Sequence, residues 1–428
     1  MPPGNSAANV RAVVLVRLTF CGAAREVGRS AILLEAGKRL MLDYGVKLGA
    51  RSEYPMPLQG SIDAYILSHA HLDHCGSAPL LYETANVPCF TTYPTEALSS
   101  LLIRDSMKVA RMRGEQVPFS SFSLKKYESA FIPLGFRKPF QLSGDVRLTL
   151  LDAGHIPGSA MVEVYAEHKR VLYTGDLKLE PTRLHAGADL EEKVDILIME
   201  STYSDTDHPE RSKLEKQLVK EIRETIEQGG IALLPSFAVG RSQELLIVLS
   251  ELLPEAEVWL DGMSKTATQI VSDYPSYLRD ANALRKAIRN TDMVETEAQR
   301  RKATSAPGVI VSSAGMLDGG PAISYLLRLN ELSKIILTGY QIEGTNARSL
   351  LETGIVNVDG IPTQIKLPVK YLDMSAHAGR SELLKLVKKA NPEKIFCIHG
   401  DACEAFAQEL CGMGYEAYAP AMGNTFEV

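Results

Sequence analysis

The chain has 428 residues, 45% of them apolar and 23% charged, which are the proportions of a folded globular protein and exclude the collagen-like, low-complexity and wholly disordered classes. Its formal net charge of −6 argues against nucleic-acid binding through bulk positive charge, while leaving room for a local basic groove. The apolar runs are too short to span a bilayer, so we expect no membrane partner.

Cysteine and histidine are distributed differently along the chain. The six cysteines are scattered and form no C-x-x-C pair, which is typical of a reduced, cytoplasmic protein. Most of the nine histidines lie in short motifs rich in aspartate and glycine, and only His168, His185 and His208 look incidental. These motifs are therefore the first candidates for chemistry.

Short β-rich runs separated by turns fill the chain from Val13 onward. Two pairs of runs predict tight hairpins, 31–36 with 39–43 and 161–166 with 170–173, the second turning at His168 and Lys169. Single apolar strands are predicted at 64–68, 147–151 and 195–199.

Helical and strand-like runs alternate in the middle of the chain, which favours βαβ units around a parallel sheet. Helices are predicted at 212–228, 242–253 and 265–272, and strands at 231–234, 257–260, 309–312 and 334–337. Near residue 371 the pattern of the first part of the chain returns, with a helix predicted at 381–390, a strand at 394–398 and a helix at 401–410. We therefore predict one domain in two parts, 10–207 and 371–428, with a second α/β domain inserted at 208–370.

The strongest chemical signal is His69-Ala70-His71-Leu72-Asp73-His74, directly after a predicted strand. A turn that leaves a strand end can splay these side chains, so that His69 and His71 converge on one ion while Asp73 and His74 converge on another. Neutral imidazole suits Zn²⁺, and carboxylate adds charge neutralisation. The alternative is a solvated polar loop, which the density of histidines in so short a segment disfavours.

Three further ligand types occur where predicted strands end. His155 follows the strand at 147–151, Asp176 follows a hairpin strand, and His399 follows the strand at 394–398. Each lies beside a glycine, which lets the backbone approach closely. Each alone is more typical of a structural loop residue, but together with the first cluster they complete a two-metal site.

In this order, the motifs resemble those of the metallo-β-lactamase fold. Glu200, the middle insertion and Ser375-Ala376-His377 make the chain similar to the β-CASP branch, which includes the cleavage-and-polyadenylation specificity factor endonuclease, its archaeal relatives and RNase J. Further segments fit this branch at 22–28, 235–245, 313–319 and 337–348. The resemblance implies an α/β protein: a metallo-β-lactamase αββα sandwich with an inserted β-CASP α/β domain of mainly parallel sheet.

The resemblance also implies roles for single residues, and it makes two Zn²⁺ ions the expected cofactors. One zinc would be held by His69, His71 and His155, the other by Asp73, His74 and His399, with Asp176 bridging the two. Asp43 would orient a ligand histidine, although read alone it is a turn residue before Tyr44-Gly45. RNA-directed members carry histidine where this chain has His399, and DNA-directed members usually carry valine.

The activity implied is that of a zinc-dependent ribonuclease on single-stranded RNA, an endonuclease with or without 5′-to-3′ exonuclease activity, in mRNA 3′-end processing, maturation or decay. His377 would protonate the leaving 3′-oxygen and Glu200 would orient it, although read alone His377 is a residue at a helix N-terminus. The candidate RNA contacts are Ser375, Lys108, Arg111 and Arg241, the last at a helix start where backbone amides favour anions. For each basic residue the alternative is a solvated face.

A homodimer, formed in part through 423–428, and an RNA-processing or decay complex are the expected assemblies. Fewer than 20 residues precede the first predicted strand, so we do not expect the N-terminal KH-type domains of one archaeal subgroup, and we expect no long C-terminal extension of the RNase J kind either. One alternative is a hydrolase of thioesters, lactones or β-lactams, which would need neither the second domain nor His377. The other is a catalytically silent scaffold, which would have lost several ligands.

Overall fold

The computed structural model describes residues 15–49 and 51–428, so the predicted start of the first domain at residue 10 lies outside the described residues. Its strands are β1 (Arg17–Phe20), β2 (Ile32–Glu35), β3 (Arg39–Leu42), β4 (Ala64–Ile66), β5 (Cys89–Thr91), β6 (Phe131–Pro133), β7 (Phe140–Ser143), β8 (Val146–Asp152), β9 (Ala160–Ala166), β10 (Lys169–Tyr173), β11 (Ile196–Glu200), β12 (Ile231–Pro235), β13 (Val258–Asp261), β14 (Thr291–Met293), β15 (Gly308–Ser312), β16 (Lys334–Leu337), β17 (Ile355–Val358), β18 (Ile361–Gln364), β19 (Val369–Tyr371), β20 (Lys394–Ile398), β21 (Glu416–Tyr418) and β22 (Thr425–Glu427).

The α-helices are α1 (Leu72–Cys75), α2 (Leu81–Thr84), α3 (Tyr93–Met112), α4 (Ser121–Ser129), α5 (Arg211–Glu227), α6 (Arg241–Leu252), α7 (Ser264–Asp273), α8 (Ala281–Arg289), α9 (Glu297–Ala303), α10 (Gly320–Leu326), α11 (Asn346–Thr353), α12 (Arg380–Ala390) and α13 (Cys403–Gly412). Short 3₁₀ turns lie at Ala78–Leu80 and Pro275–Tyr277. Within the described residues, no helix is long and apolar enough to cross a membrane.

Two seven-stranded sheets pack face to face and form the two central layers of a sandwich. Their strand orders are β22-β1-β2-β3-β4-β5-β6 and β21-β20-β11-β10-β9-β8-β7. Alternate residues of both sheets, such as Phe20 from one and Phe396 from the other, form the apolar core between them. Helices α3 and α4 cover the outer face of one sheet, and α12 and α13 cover the other. This is the predicted αββα sandwich.

A third sheet, in the order β14-β13-β15-β12-β16-β19, is parallel throughout. Its inner strands β12, β13 and β15 are buried along their whole length because helices cover both faces, with α5 to α8 on one side and α10 and α11 on the other. The chain leaves the second sheet after β11 and returns to it at β20, which pairs in parallel with β11. The predicted fold class is confirmed, while the residue limits of the three segments stay a prediction.

Both predicted hairpins form, β2 with β3 and β9 with β10. The second turn lies one residue earlier than predicted, at Glu167 and His168, and Lys169 belongs to β10. Both turn residues have positive φ, 49° and 62°, as a two-residue turn that follows the right-handed twist of the strands requires.

Candidate metal centre

Strand ends bring the predicted ligands to one edge of the sandwich. Because β10, β11 and β20 are parallel neighbours, their carboxyl ends meet and place Asp176, Glu200 and His399 side by side. His69 follows β4 of the facing sheet, and Gly175 lets the two sheet ends touch, since a Cβ there would lie 2.9 Å from the Ser68 side chain. The cluster therefore forms where the two sheets open.

Four of these side chains enclose one small space. Nδ1 of His71 lies 3.2 Å from Nε2 of His69 and 3.1 Å from Nε2 of His155. Oδ2 of Asp176 lies 3.4 Å from His69 and 3.6 Å from His155. A tetrahedral zinc ion with ligands at about 2.0–2.1 Å separates its ligand atoms by about 3.3–3.4 Å. The spacing of this set fits such an ion.

A second set shares Asp176 through its other oxygen. Oδ1 of Asp176 lies 3.2 Å from Nε2 of His74 and 3.6 Å from Nδ1 of His399. Asp73 completes the set, 3.3 Å from His399 and 4.0 Å from His74. The Oδ1 atom is buried and has no hydrogen-bond partner among the described residues. A buried carboxylate oxygen in that condition favours a cation between the two sets.

Hydrogen bonds on the side away from the cluster fix the orientation of two of the histidine rings. Oδ2 of Asp43 lies 2.7 Å from Nδ1 of His74 and also accepts the hydroxyls of Ser68 and Tyr173, at 2.7 and 2.6 Å. Nδ1 of His155 lies 2.8 Å from the carbonyl oxygen of Ala376. These contacts leave Nε2 of His74 and of His155 directed inward, as orienting contacts behind a metal ligand do.

The electrostatics of the cluster favour added positive charge. Burial lowers the pKa of His69 and His155, and it lowers that of His71 to about 3, so these imidazoles are neutral and ready to bind a cation. Burial alone would raise the pKa of Asp176, but the surrounding histidines hold it well below its usual range. His74 shows the opposite behaviour, because the carboxylates of Asp176 and Asp43 outweigh burial and raise its pKa.

His377 faces this cluster from the other side. Its Nδ1 lies 2.9 and 3.1 Å from the two oxygens of Glu200, and its Nε2 lies 3.9 Å from Asp176. Glu200 also accepts the backbone amide of Leu177 at 2.7 Å, so its carboxylate is held in place. Burial would lower the pKa of His377, but Glu200 and Asp176 raise it to about 9. Glu200 thus holds Nδ1 of His377, and Nε2 of the same ring is directed at Asp176 in the metal cluster.

The predicted RNA contacts are placed differently from one another. Ser375 is buried beside His377, whose backbone amide it accepts at 3.1 Å. Lys108 and Arg111 are exposed on α3 and contact no residue of the metal cluster. Arg241 begins α6 and is buried, but the amides of that turn bond within their own loop, since Gly240 donates to the Gln243 side chain. The expected contribution of backbone amides is therefore small, and the side chain carries the positive charge.

Sequence reasoning missed two residues beside His377. Tyr203 is buried, with its ring centroid 6.1 Å from that of His377 and 4.4 Å from that of His208. His208, judged incidental, places its Nδ1 2.8 Å from Asp373. The available signal was their position, a few residues after Glu200 in the same loop.

Comparisons with known proteins agree with this geometry. The chain matches the metallo-beta-lactamase superfamily over residues 26–219, the Beta-Casp domain over 242–350, and the Zn-dependent metallo-hydrolase RNA specificity domain over 363–420. It is similar to a crystal structure of a protein of unknown function from Enterococcus faecalis V583, with a TM-score of 0.63, 15% identity and coverage of 97% of this chain and 100% of that one.

Relatives with curated names are closer in sequence. Probable RNase MJ4 of Methanocaldococcus jannaschii is 38% identical, over 96% of this chain and 100% of its own length. RNase aCSPSF2 of Saccharolobus solfataricus is 36% identical, over 95% and 84%. Transcription termination factor FttA of Methanocaldococcus jannaschii is 35% identical, over 94% and 70%. The chain belongs to the β-CASP branch of the metallo-β-lactamase superfamily, and its cluster of histidine and aspartate at the open edge of the sandwich has the composition and spacing of a metal site.

Proposed function

We propose that this protein is a zinc-dependent ribonuclease that hydrolyses phosphodiester bonds of single-stranded RNA. The observation that carries the proposal is the pair of ligand sets sharing Asp176, with His377 3.9 Å from that bridging carboxylate. The relatives named as RNases and the RNA specificity domain support RNA as the substrate. The complete ligand set argues against a silent scaffold.

Two Zn²⁺ ions fit the residues present. His69, His71 and His155 would hold one, Asp73, His74 and His399 the other, with Asp176 between them. When bound, such ions activate water and neutralise charge on the phosphate oxygens. Asp43 keeps His74 in the orientation that binding requires, because it holds the Nδ1 side of that ring.

His377 acts on the leaving side of the reaction. As water adds to phosphorus, the bond from phosphorus to the 3′-oxygen breaks, and that oxygen needs a proton. His377 supplies it from Nε2, while Glu200 holds Nδ1 and keeps the ring charged. The products are a 3′-hydroxyl and a 5′-phosphate.

The RNA strand approaches between the sandwich and the third sheet. Phe237, in the loop before α6, lies with its ring centroid 6.2 Å from that of His71, so the inserted segment covers the metal edge directly. Arg241 and Ser375 contact the backbone near the cut, and Lys108 and Arg111 attract it from the exposed face of α3. A homodimer, a processing or decay complex and a cytoplasmic location remain predictions.

The test is cleavage of a labelled single-stranded RNA by the zinc-loaded protein. We expect cutting, its loss with a chelator, and severe impairment in His377→Ala. His168→Ala is the matched control, because it removes an imidazole from an exposed turn. Intact RNA in the presence of wild-type protein carrying two zinc ions would contradict the proposal. Substrates with a 5′-hydroxyl or a 5′-monophosphate, labelled at each end in turn, separate endonuclease from 5′-to-3′ exonuclease activity.

A further inference from the structure

A row of aromatic rings leads away from His377 into the crevice. The ring centroid of Tyr203 lies 6.1 Å from His377 and 6.0 Å from Tyr340, which meets it edge-on. Tyr340 is 36% exposed, and Tyr371, which lies near it at the end of β19, is 39% exposed. The row therefore begins at the proposed general acid and ends in two accessible aromatic side chains.

Arg241, at the start of α6, is buried close to Tyr203 and Tyr371. Its side chain is 9% exposed, its Nε is buried, and its guanidinium makes no hydrogen bond or ion pair with any residue in 15–49 and 51–428. It lies close enough to Tyr203, Tyr371 and Asp373 to interact with them electrostatically. Burying an unpaired guanidinium is costly, so such a group points to an anion that arrives from outside.

The nearby carboxylates cannot serve as that anion because each is already engaged. Glu244, one turn along α6, accepts the backbone amides of Arg183 and Leu184 at 3.0 and 2.7 Å and the Arg211 guanidinium at 2.5 Å. Asp373 is held by His208 at 2.8 Å. Glu244 and Asp373 thus lie within electrostatic reach of Arg241, but neither is hydrogen-bonded to its guanidinium among the described residues.

A guanidinium beside open aromatic faces is suited to one nucleotide of a single strand. Phosphate binds guanidinium through paired, charge-assisted hydrogen bonds, and a base of any identity can stack on a tyrosine ring. Resting on the ribonuclease function proposed above, we propose that Arg241, Tyr340 and Tyr371 form a subsite for the nucleotide on the 5′ side of the cut. Arg241 binds the 5′-phosphate of that nucleotide, and the two tyrosines stack its base.

The side of the cut follows from the position of His377. That residue protonates the 3′-oxygen, which belongs to the nucleotide 5′ of the broken bond, and Tyr203 joins it to the subsite. Because any base can stack on a tyrosine ring, we expect the subsite to require a base at this position without discriminating among the four bases.

The test pairs protein variants with single-site RNA changes. RNAs carrying one abasic residue, placed in turn at each position around the cut, are compared in kcat/KM for wild type, Tyr340→Ala and Tyr340→Phe. In wild type we expect an abasic residue immediately 5′ of the cut to cost about tenfold, within the range for one stacked base. On intact RNA, kcat/KM of Tyr340→Ala should be lower than that of wild type by a similar factor. An abasic residue immediately 5′ of the cut should then lower it no further, while Tyr340→Phe should respond as wild type does.

Phosphate binding is tested in the same way with a neutral linkage. A methylphosphonate at the linkage 5′ of that nucleotide should weaken cleavage by wild type and leave Arg241→Ala unaffected, because the variant has already lost the charge. Tyr93→Ala, an exposed tyrosine at the start of α3, is the control for loss of a ring. Zinc content and thermal unfolding of every variant exclude misfolding as the cause.

The outcomes separate the two proposals. If wild type leaves all RNA uncut, the ribonuclease function fails and the subsite with it. If wild type cuts RNA but an abasic residue costs Tyr340→Ala as much as wild type, the subsite is wrong while the function stands. If the effects of Tyr340→Ala and of the abasic residue depend on each other only at a position 3′ of the cut, the placement of the subsite on the 5′ side is wrong.

Discussion

Glu200 sets the charge of His377, and its replacement by glutamine should move the pH dependence of cleavage. The amide oxygen of glutamine can still accept the Leu177 backbone amide, which the carboxylate accepts at 2.7 Å, so the local fold should survive. The charge next to Nδ1, now 2.9 Å away, disappears. His377 then loses the largest of the contributions that raise its pKa to about 9 against the effect of burial.

The size of the effect follows from that contact. An opposite charge at this distance shifts a pKa by about 1–3 units. We therefore expect the apparent pKa of the basic limb of the kcat–pH profile to be about 2 units lower in Glu200→Gln than in wild type. Bound zinc ions lower the starting value in both proteins, but they leave the sign of the change the same. Above both limbs kcat should be about 100-fold lower than in wild type, and below both limbs the two should be nearly equal.

Single-turnover cleavage of a labelled RNA, measured from pH 5 to 10 with zinc saturating, gives both profiles. If His377 is the proton donor, it is protonated at pH values below the basic limb and loses its proton at pH values above it. A loss of the same factor at every pH would mean that Glu200 acts only on the structure. A wild-type profile without a basic limb would refute His377 as the proton donor.

Three further predictions concern the metal cluster and the core. Asp43→Asn should weaken zinc binding by about 10–100-fold, because the hold on His74 is lost, and zinc retained during chelator titration measures this. His71→Ala should lower the zinc content from two ions per chain to one, since His71 belongs to one ligand set only, and elemental analysis counts the ions. Phe396→Ala should lower the free energy of unfolding by about 3–5 kcal/mol, because its ring packs 4.9 Å from Phe426 and 5.2 Å from Phe20, and urea denaturation gives the value.

Short-range patterns were sufficient for much of the site. His69, Asp176 and His399 could be proposed as ligands because each lies within three residues of the end of an apolar strand and beside a recognisable motif. Parallel pairing of β10, β11 and β20 then brings two of these strand ends together, and that pairing is a property of the fold. The ligand types were thus readable from the sequence, while their distances were not.

Long-range contacts explain what the sequence left out. Asp43 contacts His74 from 31 positions away and Tyr173 from 130 positions away, and His208 gains its partner Asp373 from 165 positions away. The lack of a hydrogen-bonded partner for Arg241 within 15–49 and 51–428 could not be predicted either, because it depends on Arg183 and Leu184 engaging Glu244 from another layer of the molecule. No local pattern contains such information.

The position of the insertion explains why one edge of the sandwich carries the chemistry. The inserted segment leaves after β11 and returns before β20, and these two strands are parallel neighbours whose carboxyl ends lie at the metal cluster. Glu200 is the last residue before the exit and His377 lies just after the return, yet they meet at 2.9 Å. Phe237 of the insertion lies over the metal cluster, with its ring centroid 6.2 Å from that of His71, so the RNA path that we propose is a crevice and not an open face. If His377 is the proton donor that we propose, its charge depends on a contact between the segments on either side of the insertion, so disturbing the packing of the insertion on the sandwich should affect catalysis before metal binding.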